Sequence, residues 1–493
     1  MRTLVLGALT AVAIAGGPGI ARADRVDPRW DLVKRAIEAS QRDDCREAQR
    51  LVKPLLAPGA TDGLPEEFTA APHHVAAMCY ARTGDLAQAR RMALAGTALP
   101  GALDQFWHFR LGYDLYAQDY AAAVTTMTEM ARSRPRALNT MPIRIIYQLN
   151  QALREAKSEE LRVRFLEIVT AASYVPDQPG ASKDWFRQAL AEKLVAKGDR
   201  AGAAALVGRI ERTQILLELS FDPRFRGMIA ADFDPRAAAE RELARAGAEM
   251  ERYPMALAPL TDAAESLRLL GKPKEALDIL ETARANGKKV TDYSDADDRA
   301  SWWWDSLGES HEMMGNAAAM TAAYRQGSAT KEDGMANVSQ VLNLSHAQVR
   351  FGHYAEALKT LPAANVEFSV SPYGAATMRV ARGCANAGLG NLKAVAPDLA
   401  YIRAHQKDSW KALPHLLLCS GDMDGAAAAM VALLGNDEHR VKTLLWLSDY
   451  DPPLPGRPLS VADKRLDELK QRADIKAAIE KAGGIRRIRL QRS

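Results

Sequence analysis

The residues of this 493-residue chain that could do chemistry are few, and each falls short of the spacing its chemistry needs. His311-Glu312-Met313-Met314 opens like a zinc-hydrolase helix, but the second His belongs four residues after the first, on the same helical face, where Gly315 stands. His73 and His74 are adjacent, so on a helix they point about 100° apart and share no metal. Gly388-Leu389-Gly390 is followed by Asn391-Leu392-Lys393, which breaks the phosphate-loop pattern, and no strand precedes it. Asp422-Met423-Asp424-Gly425 has too few oxygen ligands for a calcium loop. Asp292, Asp295, Asp297 and Asp298 read as a solvated loop and helix N-cap cluster, with a cation site as the competing reading. No catalytic residue, cofactor-binding residue or metal ligand is therefore expected.

Cys45, Cys79, Cys384 and Cys419 fall into two pairs, 34 and 35 residues apart. Local pairing, Cys45 with Cys79 and Cys384 with Cys419, is expected; four buried thiols are the alternative. Neither pair is read as a metal site, for want of a second Cys or His at ligand spacing. An oxidising compartment is implied by the start of the chain. Met1-Arg2-Thr3, the apolar run Leu4 to Ile14 and Ala21-Arg22-Ala23 read as a secretory signal over residues 1–23. A periplasmic or secreted location follows as an expectation. No later stretch approaches 18 apolar residues, so no membrane span is expected in the mature chain.

Composition narrows the fold. Hydrophobic residues are 47%, charged residues 26% and aromatics only 6%, which favours helices packed through small side chains over sheets or disorder. The net charge of +4 is carried by the tail arginines Arg486, Arg487, Arg489 and Arg492, so no nucleic-acid-binding body is expected.

The elements that position everything else repeat. Short breaks recur at 43, 84, 118, 198, 271, 315, 352, 390 and 421, most of them Gly followed by a polar residue. Two gaps are about double the period, and helical hairpins from Pro142 to Thr170 and Thr213 to Tyr253 can fill them. Five residues after the break stand Ala48, Ala89, Ala123, Ala203, Ala276, Ala357 and Ala426, with Met320 and Val395 as exceptions. A small residue there lets two helices cross closely. Trp107, Trp304 and Trp410 recur eleven residues before a break, as wedges between hairpins.

This pattern resembles the tetratricopeptide repeat (TPR) family. The resemblance implies an all-α, right-handed α-solenoid of about 10–12 hairpins. Residues 24–220 form one array and 237–450 another, joined at 221–236, where Phe-Asp-Pro-Arg occurs twice. Residues 451–493 hold a capping helix, Val461 to Ala482, and a basic tail. That tail is read as a frayed, solubilising end, with weak contact to anionic lipid as the other possibility.

In TPR arrays the first helix of each hairpin lines the concave face, where partners bind. By register that face carries Trp302, Asp305, Glu309 and Glu312, then Leu342 and His346, with Glu265 and Arg268 on the preceding hairpin. A competing register packs Trp302 inside and turns Trp303 or Trp304 outward. The family's chaperone-tail clamp needs a Lys ten and an Asn six residues before the break. Only Lys411 fits, with His415 in the partner slot, so that clamp is not expected. The reading is a monomeric, non-enzymatic scaffold for a protein or peptide partner. The alternative is a carbohydrate-binding envelope accessory or enzyme using Asp305, Glu309 and Trp302.

Overall fold

The computed structural model describes residues 27–99, 101–331, 337–361 and 370–492. The expected signal, residues 1–23, lies outside them. The described chain is all-α apart from two short strands, and consecutive helices pair into TPR-like hairpins. Two compact units divide it, Met1–Ala196 and Lys197–Ser493, so residues 221–236 fall within the second.

The repeat signature is turn chemistry. All nine breaks have positive φ, from 56° at Gln118 to 87° at Gly84. Glycine is the usual occupant because it enters the left-handed region without a Cβ penalty. The next residue starts the second helix. Asp44, Asp85, Asp119, Asp199, Asn316 and Asp422 each accept a hydrogen bond from a backbone N–H in the first turn. These acceptors satisfy a donor that the helix start leaves without a partner. Five residues after the break, every Ala of the series is wholly buried, and Met320 and Val395 are buried where a larger residue substitutes.

The first long gap holds a tenth turn of the same kind. Lys157 has φ 53° between helices Ile143–Glu155 and Glu159–Thr170. In the second gap, Thr213–Phe221 and Pro235–Arg252 form a hairpin whose long connection contains both Asp-Pro turns. Residues 221–236, read from the sequence as a joint between arms, thus span the connection of one hairpin, 222–234, and the helix ends beside it. Asp222 and Asp234 each accept from the backbone N–H two residues on, the local turn that Asp-Pro favours.

The cysteines pair as expected, with one bridge inside each unit. Cys45–Cys79 ties the first hairpin of the first unit to the second, and Cys384–Cys419 ties helix Pro372–Gly388 to helix Ala412–Ser420. Both pairs have Cα atoms 5.0 Å apart, within the range a disulfide spans.

The end of the second unit differs from its sequence reading in two ways. The cap is two helices, Val461–Leu469 and Ala473–Ala482. Leu466, Leu469, Ile475 and Ile479 are all buried as expected. In an unbroken helix, however, Ile475 would stand about 120° away from Leu469, and the break at 470–472 turns both into one core. The tail is not frayed. Strand β1 (Asp449–Tyr450) pairs in parallel with β2 (Arg487–Ile488), and Ile488 and Leu490 are buried. They join a core that also holds Leu217 and Phe221 from the unit's first hairpin and Leu444 and Leu447 near its end. Polar contacts follow the same path. Arg486 Nη2–H donates to the Ser220 carbonyl at 2.9 Å, Arg489 pairs with Asp234 at 2.7 Å, and Gln491 N–H donates to the Leu269 carbonyl at 2.8 Å. The second unit therefore closes its last elements onto its first.

The Pro452-Pro453-Leu454-Pro455-Gly456 segment crosses the turn at Gly315. A Cβ on Gly315 would lie 2.1 Å from the Gly456 carbonyl oxygen, so only glycine allows this approach.

Candidate functional site

First helices of successive hairpins in the second unit face a common interior. They are Ala258–Leu269, Ala296–Met313, Val338–Arg350, Pro372–Gly388 and Ala412–Ser420. A cavity of about 490 Å³ is lined by Glu265, Arg268, Glu309, Glu312 and His346, five of the eight residues placed on this face by register. Trp302, Asp305 and Leu342 are not among its lining residues.

The three outliers have physical reasons. Trp302 is 40% exposed, while Trp303 is fully buried and Trp304 packs edge-on against it. The competing register, with Trp302 inside, is thereby excluded. Leu342 is buried against Leu361 and Ala381. Asp305 is buried and accepts from Asn343 Nδ2–H at 2.8 Å.

Most carboxylates at the cavity are neutralised by arginine. Arg268 donates to Glu309 at 2.6 Å and to the Ser306 carbonyl at 3.4 Å. Arg350 lies 2.8 Å from Glu312, with Arg457 at 3.9 Å from the same oxygen. Glu265 faces Arg212 at 3.9 Å, and burial pushes its carboxyl above the usual range. Burial, reinforced by the Glu309 charge, pushes Asp305 up to about 7. His346 donates its Nε2–H to the Thr377 carbonyl at 3.1 Å; burial, with Arg350 nearby, holds its imidazole down to about 4, neutral at physiological pH.

Asp305 yields a signed prediction. The folded state keeps its proton between about pH 4 and 7, where the unfolded chain releases it, so stability falls as pH rises through that window. Asp305→Asn keeps an acceptor for Asn343 and removes the buried charge. At pH 8 it is expected to stabilise the second unit by about 1–4 kcal/mol, and at pH 4 to be nearly neutral. Urea unfolding at both pH values checks this; equal effects at both would contradict the assignment.

A second cavity, of about 630 Å³, adjoins the first. Both are lined by His346, Arg350, Lys411, His415, Arg457 and Arg492. Lys411 and His415 stand ten and six residues before the break at 421, on the face the register rule selects. Arg350, Arg457 and Arg492 are invisible to that rule, because they come from a helix end, the proline-rich segment and the tail.

His415 also stands four residues before Cys419, a ligand spacing the sequence reading overlooked. Its ring, Cys384 and Cys419 bring donor atoms within 4.8 Å of one another, the one such group among the described residues. The two sulfurs are spent on each other as a disulfide, so they are not available as thiolate ligands. Elsewhere His74, one of the adjacent pair, is half-buried and stacked on Phe106, which is a packing role. Among the described residues, no helix is long and apolar enough to cross a membrane.

No protein-family model and no curated protein matches this chain. Among solved structures, it is similar to the APC/C hetero-tetramer Cut9–Hcn1, at 11% identity and a TM-score of 0.31, covering 93% of this chain and 97% of that one. It is also similar to yeast Tom70, at 12% identity and a TM-score of 0.27 (92% and 99% covered), and to the P58(IPK) TPR domain, at 10% and 0.20 (90% and 100% covered).

Proposed function

We propose that this chain is an exported, non-enzymatic TPR-like scaffold that binds a protein or peptide partner on the inner face of its second unit, in envelope assembly, secretion or polymer export. One observation carries the reading. Five residues selected by register from three successive hairpins meet at one cavity, and Tyr373, 64% exposed, stands among its lining residues. An exposed aromatic beside paired charges is the composition of a binding hot spot. A rigid array presents such a surface at little ordering cost.

The carbohydrate alternative has less support. Its proposed sugar platform, Trp302, does not line the cavity. Its carboxylates are engaged, Asp305 by Asn343 and Glu309 by Arg268.

The test is capture from the native envelope with wild type, Tyr373→Ala and Trp302→Ala. Retention of a specific protein that falls at least tenfold in Tyr373→Ala and is unchanged in Trp302→Ala supports the reading. Equal retention by all three removes the cavity from the interaction. Capture of glycan alone puts the alternative ahead. N-terminal sequencing of the mature protein checks export, the expected first residue being Asp24.

A further inference from the structure

The junction of the two cavities has more positive charge than its carboxylates neutralise. Arg350, Lys411, Arg457 and Arg492 line both cavities, and His346 and His415 stand with them. Their partners can be accounted for individually. Arg350 and Arg457 face one carboxylate, Glu312. Arg457 also donates to the Arg492 carbonyl at 2.9 Å. Arg492 donates to the carbonyls of Trp446 and Ser448 at 3.0 and 3.1 Å and lies over the Tyr450 ring. Of the carboxylates lining the larger cavity, Asp463 is engaged by the Ser460 hydroxyl and backbone N–H as a capping box, Asp449 and Asp467 pair with Lys470 at 2.8 and 3.2 Å, and Asp451 lines it as well; no carboxylate lines both cavities.

Lys411 is the group left over. Among the described residues it has no carboxylate at ion-pair distance; its Nζ lies 4.7 Å from the centroid of the Trp446 ring. The charged and titratable groups around it are Arg350 and His346 on one helix, His415 on its own, Asp463 on the cap, and Arg492. Burial, followed by the charges of Arg492 and Arg350, pushes its ammonium down to about 8. A half-buried cation beside other cations is costly unless an anion meets it.

We propose that this junction is an oxyanion site, taking the carboxylate or phosphate group of a ligand that occupies the cavities. Lys411 supplies the uncommitted point charge, and Arg350, Arg457 and Arg492, each with five N–H donors, have more donors than the contacts above use. The cavity volumes, about 630 and 490 Å³, are those of small-ligand sites. The anion could be free or carried on an acidic partner segment. The proposal deepens the partner-binding reading above, but free anions test it without that reading.

The experiment is titration calorimetry on the full chain at low ionic strength and pH 7. The probes are inorganic phosphate, succinate and an end-blocked oligoglutamate peptide, with the matching oligoglutamine as control. Lys411→Met keeps the apolar stem against Trp446 and removes a charge that opposes folding, so it is expected to remain folded; Lys411→Arg restores the charge. The expected result is binding of at least one anionic probe, weakened roughly tenfold or more in Lys411→Met and recovered in Lys411→Arg. Binding of phosphate or succinate identifies a free-anion site. Binding of oligoglutamate alone places the anion on a chain segment. No heat with any probe at millimolar concentration, or equal affinity in wild type and Lys411→Met, overturns the proposal. If partner capture fails while an anion binds, only the scaffold reading falls.

Discussion

Removing residues 486–492 is expected to destabilise the second unit by about 5 kcal/mol or more, an effect far larger than a solvated basic tail would give. Ile488 and Leu490 are each only 2% exposed, and burying a side chain of that size is worth about 1.5–3 kcal/mol. The β1–β2 ladder, the Gln491 bond to Leu269 and the Arg486 bond to Ser220 add about 1 kcal/mol apiece. Their removal also leaves Leu217 and Phe221 without part of their core. Denaturant unfolding of full-length and shortened chains measures the loss. A difference below about 1 kcal/mol would mean the tail decorates the unit without closing it. Ile488→Ala and Leu490→Ala should each reproduce part of the effect, about 2–5 kcal/mol.

Trp303→Ala is expected to cost about 3–5 kcal/mol, whereas Trp302→Ala should stay within about 0.5 kcal/mol. Trp303 is wholly buried, and its Nε1–H donates to the Leu280 carbonyl at 3.0 Å, joining two successive hairpins. Arg284 sits over its ring at 5.4 Å. Its neighbour in sequence has none of this, because one residue on a helix rotates the side chain by about 100°. Thermal unfolding of the two variants decides the register. Equal losses would mean the helix is rotated from the orientation described.

The same rotation explains how much could be read from the sequence. The breaks were visible because left-handed backbone selects for glycine, and the acid that follows marks the new helix. Lys157 adopts the same backbone with a residue type that signals nothing, so its hairpin was found by gap length alone. The alanines five residues on were legible because crossing helices tolerate little volume. Within the site, register found Glu265, Arg268, Glu309, Glu312 and His346, and it pointed to the faces of Lys411 and His415. It placed Trp302 on the groove face as well, but Trp302 is exposed and does not line the cavity.

Other parts had no local signature. Arg350, Arg457 and Arg492 converge through the closure of the unit, and nothing in their immediate sequence encodes a partner so far along the chain. The tail was misread because its four arginines dominate its composition. The alternation Ile488, Arg489, Leu490 was the available sign of a short strand with one buried face. The proline-rich segment reads as a terminator of the array, yet Gly456 sits against Gly315, far earlier in the chain. Such long-range contacts rest on shape rather than residue type.

Closure has a temporal consequence. In an open repeat array each hairpin needs only its neighbour, so folding can follow the growing chain one repeat at a time. The second unit cannot finish that way, since Ser220 waits for Arg486, a partner 266 residues later. Until residues 486–491 have been made and delivered, Leu217 and Phe221 hold an apolar face that their own neighbourhood does not cover. Long-range closure of this kind slows folding and leaves a sticky intermediate. The nascent chain therefore carries, through most of its synthesis, a surface that a holding chaperone would recognise and that the finished protein no longer shows.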